Sequence, residues 1–168
     1  QAVACGVGDD DVVYRFEAAR PAPPATGPLR LLTYNVWMRP TSMFSDGQEQ
    51  RAGLIPQHIA DHDVVVLCEV FDDEARDQLM SGLAASYPFQ TNVVGRDSGL
   101  GQDGGVVVVS RFPIGRTAQM IYQNRKGWDA RSKKGVRYAE ILRGGQRVHV
   151  FATHMQAEDD GDAVRPAP

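Results

Sequence analysis

The pattern of apolar and polar positions predicts strands separated by helices from Leu29 onwards. The segment LRLLTYNVW, residues 29–37, alternates between two faces with the period of two that a strand produces. The segment DVVVLCEV, residues 63–70, is an almost continuous apolar run, which is typical of a buried strand. Three more strands are predicted in GGVVVVSRF and VRYAEILRGGQRVHVFATHM, and a turn at Gly144-Gly145 joins the last two.

Two helices are predicted between these strands. The first is QEQRAGLIPQHIADH, which Pro56 weakens in its middle. Its apolar positions recur near helical spacing: Ala52, Leu54, Ile55 and Ile59. The second is DDEARDQLMSGLAASY, which Asp72 or Asp73 can cap. Its apolar stripe consists of Ala75, Leu79, Met80 and Leu83.

Strand, helix, strand, helix and then hairpins predict a layered α/β fold with at least one parallel pair of strands. Residues 1–28 are interpreted as a lead-in, with one short strand-like run, VVYRF, and a proline-rich linker, ARPAPPATGP. The domain itself is predicted over residues 29–168.

Composition and charge narrow the function only slightly. The net charge of -3 is spread along 168 residues without a basic stripe, so non-specific binding to nucleic acid has little electrostatic support. No apolar run approaches the roughly 18 residues of a membrane-spanning helix. The first residues lack the features of a signal peptide, so either the protein is not exported or a signal has been removed. Cys68 is predicted to be a buried free thiol.

Three predicted strands end in polar residues with metal- or phosphate-binding chemistry. These residues are Asn35, Glu69 and His154. In α/β sheets, ligands collect beyond the carboxyl ends of strands. A carboxylate and an amide oxygen suit a hard cation such as Mg²⁺, and the absence of a His/Cys cluster at ligand spacing argues against zinc. The alternative is that each residue is a solvated or core strand end.

Several motifs carry a resemblance to a known family. TYNVW, CEVFD, DGGVVVVSRFPI and THMQAED resemble the endonuclease/exonuclease/phosphatase superfamily. Within it, EVFDDEARDQLM, YPFQTNVVGR, WDARSKKGVRYAEI and HMQAEDD resemble the bacterial neutral sphingomyelinase C enzymes. The resemblance runs in order from residue 31 to about residue 165.

The resemblance implies roles for the three strand-end residues. Glu69 would bind Mg²⁺, for which Mn²⁺ or Co²⁺ can substitute. Asn35 would help to hold the metal and the substrate phosphate. His154 would donate a hydrogen bond to a phosphate oxygen and stabilise charge in the transition state.

The resemblance also implies site roles for further residues, and for some of them a purely structural role is the alternative. Asp129 and Asp159 match acidic positions of the family's cleft, and Lys134 would contact phosphate. Asp129 and Lys134 lie in a charged loop, so the alternative is a solvated surface. Trp37, in the loop WMRPTSMF, can meet a lipid or a choline head group through its aromatic face; the alternative is packing under the sheet edge. Asp103 is predicted to make a turn.

The function implied by the resemblance is Mg²⁺-dependent hydrolysis of sphingomyelin to ceramide and phosphocholine at a membrane surface by a secreted enzyme. The runner-up is another superfamily activity, on phosphoinositides or nucleic acid. The alternative of a different class is an inactive remnant that binds a membrane or a partner.

The sequence also departs from the family pattern. No Gly-Asp-x-Asn motif occurs in it, and no His follows His154, so the family's terminal Asp-His pair, which supplies the general base, does not occur after His154. The chain is therefore expected to correspond to the first half of a two-sheet sandwich. We expect one sheet to lack its partner, and the 168 residues alone to be poorly stable and nearly inactive.

Overall fold

The computed structural model describes residues 3–5, 13–16, 24–96, 101–123 and 128–155. They form the predicted layered α/β fold. The strands are β1 (Val3–Cys5), β2 (Val13–Arg15), β3 (Leu31–Met38), β4 (Val64–Val70), β5 (Phe89–Thr91), β6 (Val106–Ser110), β7 (Ile114–Ile121), β8 (Gly135–Arg143) and β9 (Gln146–Thr153). The α-helices are α1 (Gln48–Ile59) and α2 (Asp73–Leu83), and a 3₁₀ turn, Trp128–Arg131, precedes β8.

The strands form two sheets. The six-stranded sheet has the order β1-β2-β5-β6-β4-β3, and the three-stranded sheet has the order β7-β8-β9. β3 and β4 run parallel, with α1 as the crossover between them, which confirms the expected parallel pair. The remaining neighbours within both sheets are antiparallel.

Strand β4 is buried on both faces, which explains its apolar sequence. Val65 and Leu67 belong to a core cluster that β4 shares with α1 and α2. Val64, Val66 and Cys68 belong to a second cluster on the opposite face. Successive side chains of a strand point to opposite faces, so a strand between two cores needs apolar residues at every position.

The second core cluster lies between the two sheets. The three-stranded sheet contributes Ile114, Ala139, Ile141, Val150 and Ala152 to it. The expectation that one sheet lacks its partner is therefore wrong, because the two sheets pack against each other. The open surface is the outer face of the three-stranded sheet, where Met120 is 59% exposed and Phe151 is 69% exposed.

The two helices follow the predicted patterns in most positions. In α1 the predicted apolar positions Ala52, Ile55 and Ile59 are buried, but Leu54 is 49% exposed because it lies on the outer side of the helix. α1 keeps Pro56 within it and ends at Ile59, shorter than the predicted segment. α2 begins after Asp72, whose Oδ1 accepts a hydrogen bond from the backbone N–H of Ala75 at 3.0 Å. The predicted stripe of α2 is confirmed for Ala75, Leu79 and Leu83, which are buried.

The sequence pattern does not predict β1, β5 and β7. β1 and β5 have three residues each, too few for a periodic signal, and β7 mixes exposed and half-buried positions around Gly115. β1 and β2 lie within the lead-in and extend the six-stranded sheet by pairing with each other and with β5. The domain boundary at Leu29 stays a prediction.

No helix in the described part of the chain has the length and apolar content needed to span a bilayer.

Candidate active site

Glu69 adopts a left-handed backbone conformation near the end of β4, with φ 61°. This region is unfavourable for a residue with a long side chain and persists only where the surroundings enforce it. The next residue, Val70, provides the enforcement. Its N–H donates to the Gly105 carbonyl at 3.1 Å, and its carbonyl accepts from Nη1 of Arg76 at 2.9 Å.

A buried ion pair supports this backbone. Nη1 of Arg76 also lies 2.8 Å from Oδ2 of Asp103, and both side chains are buried. Oδ1 of Asp103 accepts from the Gly105 N–H at 3.0 Å, which is the turn predicted for this residue. Burial raises the pKa of Asp103, and the charge of Arg76 opposes this rise. The pair therefore links α2, the end of β4 and the loop before β6.

Gly105 allows the loop before β6 to approach Phe71 closely. It has φ 63°, and a Cβ at this position would lie 2.5 Å from the Phe71 ring. Only glycine combines this backbone conformation with so close a neighbour. The ring of Phe71 thus packs directly on the backbone of the DGG motif.

The structure brings together the three predicted strand-end residues. Nδ2 of Asn35 donates to Oε1 of Glu69 at 2.7 Å, and Nε2 of His154 lies 3.2 Å from the same oxygen. Asn35 pairs with Cys68 in the parallel β3–β4 register, which places it beside the end of β4. An amide and a carboxylate from the six-stranded sheet thus meet an imidazole that follows β9 of the three-stranded sheet, so the three predicted strand-end residues lie together.

The carboxyl group of Glu69 is held in its charged form. The hydrogen bond from His154 is the largest cause of a pKa below the usual value. Burial opposes this effect, while the hydrogen bond from Asn35 and the charge of Lys134 add to it. Oε2 of Glu69 has no hydrogen-bond partner among the described residues.

Asn35 is oriented by both of its amide atoms. Its Oδ1 accepts from the backbone N–H of Trp37 at 3.0 Å, while Nδ2 points to Glu69. In this orientation the amide nitrogen, and not the oxygen, faces the carboxylate. The geometry makes Asn35 a support for Glu69, and direct binding of a cation by Asn35 stays a prediction.

Lys134 lies close to the chain that follows His154. Its Nζ donates to the Met155 carbonyl at 3.1 Å, and the residue is buried rather than solvated. The alternative of a solvated surface position is therefore wrong for Lys134. Its contact with phosphate stays a prediction.

Trp37 borders the site with its side chain 50% exposed. Its Nε1 donates to Asp46 at 3.2 Å. The ring is therefore not packed under the sheet edge, which was the alternative for the loop. Met38, predicted to lie in the same loop, is instead the last residue of β3 and is fully buried in the core.

The remaining predicted acids cannot be placed. Asp159 and the side chain of Asp129 lie outside the described part of the chain. Among the residues that are described, no three His, Cys, Asp or Glu side chains are grouped to hold a metal ion. Arg76 was missed from the sequence because an arginine within an amphipathic helix resembles an ordinary solvated charge.

Comparison with known proteins identifies the family of the chain. The chain matches the Endonuclease/Exonuclease/phosphatase family over residues 32–163. A sphingomyelinase C of Bacillus cereus is 42% identical over 147 residues, covering 78% of this chain and 44% of that protein. A phospholipase C of Staphylococcus aureus is 39% identical over 146 residues, with the same two coverages. The chain thus spans less than half the length of these curated relatives.

Solved structures show the same relationship. Sphingomyelinase C from Streptomyces griseocarneus has a TM-score of 0.74 and 40% identity, covering 81% of this chain and 52% of that one. A mutant beta toxin from Staphylococcus aureus with bound magnesium ions has a TM-score of 0.75 and 38% identity, covering 79% and 51%. The chain therefore belongs to the Endonuclease/Exonuclease/phosphatase family and resembles its bacterial sphingomyelinases C.

Proposed function

We propose that this chain is part of a Mg²⁺-dependent phosphodiesterase that hydrolyses sphingomyelin to ceramide and phosphocholine. The observation that carries the proposal is the convergence of Asn35 and His154 on one oxygen of Glu69, in a chain that is 42% identical over 147 residues to a sphingomyelinase C. A relative solved with bound magnesium ions supports the choice of metal.

The donors of the site fit a hard divalent cation. Oε1 of Glu69 contacts Asn35 and His154, whereas Oε2 has no partner within the described part of the chain, so Oε2 is the oxygen that would bind Mg²⁺. The lowered pKa keeps this carboxylate ionised, as a metal ligand must be. Mg²⁺ bound there would neutralise phosphate charge and assist the leaving alkoxide.

The protein's own residues would position the substrate. Asn35 would hold the Glu69 carboxylate in place through Nδ2 and help to bind the phosphate. Nε2 of His154 would donate to a phosphoryl oxygen as charge develops, which is the role of preorganised donors in such reactions. Lys134 would add positive charge near the same edge, and Trp37 would contact the choline head group.

Asp129 and Asp159 are proposed to complete the cleft by orienting groups or tuning pKa values. We propose the full activity for a protein of the relatives' length. For these 168 residues alone we expect little or no turnover, because the sequence holds no Asp-His pair after His154 to supply a general base. We further propose that the complete protein acts outside the cell, where its substrate lies on the outer face of host membranes.

The test is a parallel assay on sphingomyelin, phosphatidylcholine, a phosphoinositide and DNA, each with Mg²⁺ and with EDTA. The assay uses the 168-residue chain and a version extended to the full open reading frame. We expect sphingomyelin to be the preferred substrate of the extended protein, and EDTA to abolish turnover. Preference for DNA or a phosphoinositide would replace the substrate assignment, and turnover in EDTA would remove the metal.

A further inference from the structure

A short segment beside the site holds large apolar side chains in solvent. We call residues 37–46 the rim segment. Trp37 is 50% exposed, Met43 58% and Phe44 41%. Exposed apolar residues scattered singly are ordinary, but three of them within one short segment next to a catalytic edge need a physical account.

The rim segment is ordered by polar contacts rather than by burial of its apolar groups. Oδ2 of Asp46 accepts from Trp37 Nε1 at 3.2 Å and from Arg39 Nη2 at 2.6 Å. Nε2 of the buried Gln48 donates to the carbonyls of Arg39 and Phe44, both at 2.8 Å. The segment therefore pre-forms a surface on which the apolar side chains face outward.

The composition of this surface matches the interface of a lipid bilayer. The guanidinium carbon of Arg39 lies 4.9 Å from the centroid of the Trp37 ring and 3.8 Å from that of Phe44. Aromatic rings with one polar end, together with arginine, are enriched where hydrocarbon meets lipid head groups. The net charge of -3 favours a zwitterionic bilayer over an anionic one.

The size of the surface argues against a protein partner. The exposed parts of the three side chains amount to roughly 300 Å², taking about 200 Å² for each full side chain. A stable interface with a second copy needs about 800 Å² from each partner. Insertion at a bilayer needs only a few side chains that reach ~5–10 Å into the head-group boundary.

We propose that the rim segment is a membrane-docking element that inserts Trp37, Met43 and Phe44 into a zwitterionic phospholipid surface. The backbone N–H of Trp37 donates to Oδ1 of Asn35, so docking would bring the site formed by Asn35, Glu69 and His154 to the level of the head groups. The benefit to catalysis rests on the proposed function, whereas docking itself needs no turnover.

The first experiment measures binding of the 168-residue chain to vesicles of phosphatidylcholine and sphingomyelin in EDTA. The variant Met43→Ser/Phe44→Ser is compared with Met120→Ser/Phe151→Ser, which removes the same residue types from the exposed outer face of the three-stranded sheet. We expect the rim variant to lower the vesicle partition coefficient at least about tenfold, and the control variant to change it less than about twofold.

Several results would overturn the proposal. They are a parent chain that does not bind vesicles, an equal fall of the partition coefficient in both variants, or a fall in the control variant alone. A fourth is a parent dimer by light scattering that the rim variant converts to monomer, because this would assign the surface to a second copy. Failure of turnover with Mg²⁺ would count against the proposed function and leave docking intact.

A second measurement does not depend on the rim variant folding. In a Trp128→Phe background, Trp37 is the one indole of the chain. We expect its emission to shift to the blue on vesicles and to be quenched by lipids brominated near the head group. Emission that is unchanged by vesicles contradicts insertion of Trp37.

Discussion

Arg76 and Asp103 form a buried ion pair of 2.8 Å beneath the backbone that carries Glu69. The same guanidinium nitrogen donates to the carbonyl of Val70, the residue after Glu69. The pair therefore restrains the strained backbone conformation of Glu69. The positions of Arg76 and Asp103 in the sequence do not reveal this role.

Arg76→Met is expected to lower the free energy of unfolding by about 3–5 kcal/mol, because it leaves the Asp103 carboxylate buried without its cation. The measurement is urea denaturation followed by circular dichroism. The double variant Arg76→Met/Asp103→Asn should recover part of the loss, since neither charge is then left alone. A double variant that loses the sum of both single effects would show that the two residues are not coupled.

Gly105→Ala is expected to destabilise the fold more than Gly145→Ala. Both glycines have positive φ, 63° and 81°, so both substitutions carry a backbone cost of roughly 1 kcal/mol. At Gly105 the new methyl group also meets the Phe71 ring at 2.5 Å, whereas nothing lies within 4 Å at Gly145. Equal melting temperatures for the two variants would mean that the Phe71 contact relaxes without cost.

Asp72→Ala is expected to cost about 0.5–2 kcal/mol through loss of the cap of α2. Burial raises the pKa of Asp72, but hydrogen bonds from the N–H groups of Ala75 and Thr41 outweigh it and bring the pKa below its usual value. A carboxyl with a lowered folded pKa adds stability above its unfolded pKa of about 4, and this stability is lost as the pH falls through the folded pKa.

The cap effect is therefore measured as the difference in unfolding free energy between parent and Asp72→Ala at neutral and at acidic pH. The difference should be full at pH 7 and shrink as the pH falls below about 4. Asp77→Ala, exposed on the same helix, is the control. A difference that stays constant down to low pH would remove the charge of Asp72 from the explanation.

Cys68 is expected to react slowly with iodoacetamide in the folded chain. Burial, with a smaller contribution from the charge of Glu69, raises the pKa of its thiol to about 11. The thiolate is the reactive form, so the rise lowers its fraction near neutral pH by roughly 100-fold. The rate is measured by mass spectrometry in a Cys5→Ser background, with urea-unfolded chain as reference. Similar rates in both states would contradict the burial.

Glu69→Gln is expected to lower turnover of the extended protein by several orders of magnitude, because the neutral amide is a poor ligand for Mg²⁺. Glu74→Gln, exposed on α2, is the matched control and should leave turnover unchanged. The measurement is sphingomyelin hydrolysis at saturating Mg²⁺. Near-normal turnover by Glu69→Gln would remove this residue from the metal site.

The strand ends were predictable because their chemistry is local. An apolar run that stops at Glu69 predicts a buried strand with a polar residue at its end. The strand patterns that stop near Asn35 and His154 predict polar strand ends in the same way. The rule that ligands collect beyond strand ends predicts the meeting of Asn35 and Glu69, because their strands β3 and β4 are parallel neighbours. The rule does not specify that His154 joins them, because β9 belongs to the other sheet. The three residue types alone do not specify a reaction. The resemblance to the family supplied the expected one, which is metal-dependent hydrolysis of a phosphodiester.

The supports of the site were not predictable from sequence periodicity. Arg76 faces inward from an otherwise ordinary helix, and its partner Asp103 lies in a loop between β5 and β6. Such a contact depends on how α2 sits on the sheet, which no periodic pattern specifies. The short strands β1 and β5 were missed for a related reason, because pairing with neighbours, rather than their own residues, defines them.

The apolar continuity of β4 has a consequence for how the sheet aligns during folding. Val65 and Val66 of β4 pair with Val109 and Val108, which belong to a run of four valines in β6. A slip of one residue that moves Val107 opposite Val66 would exchange valine for valine at both pairs. Burial on both faces removes the usual penalty for such a slip. The register must then be set at the ends of the strand. There the Arg111 N–H donates to the Asp63 carbonyl at 2.9 Å, and the Val70 N–H donates to the Gly105 carbonyl at 3.1 Å. The Gly105 turn that supports the backbone of the proposed metal ligand would thus also fix the alignment of β4 with β6, and its distortion would be expected to permit misaligned sheets.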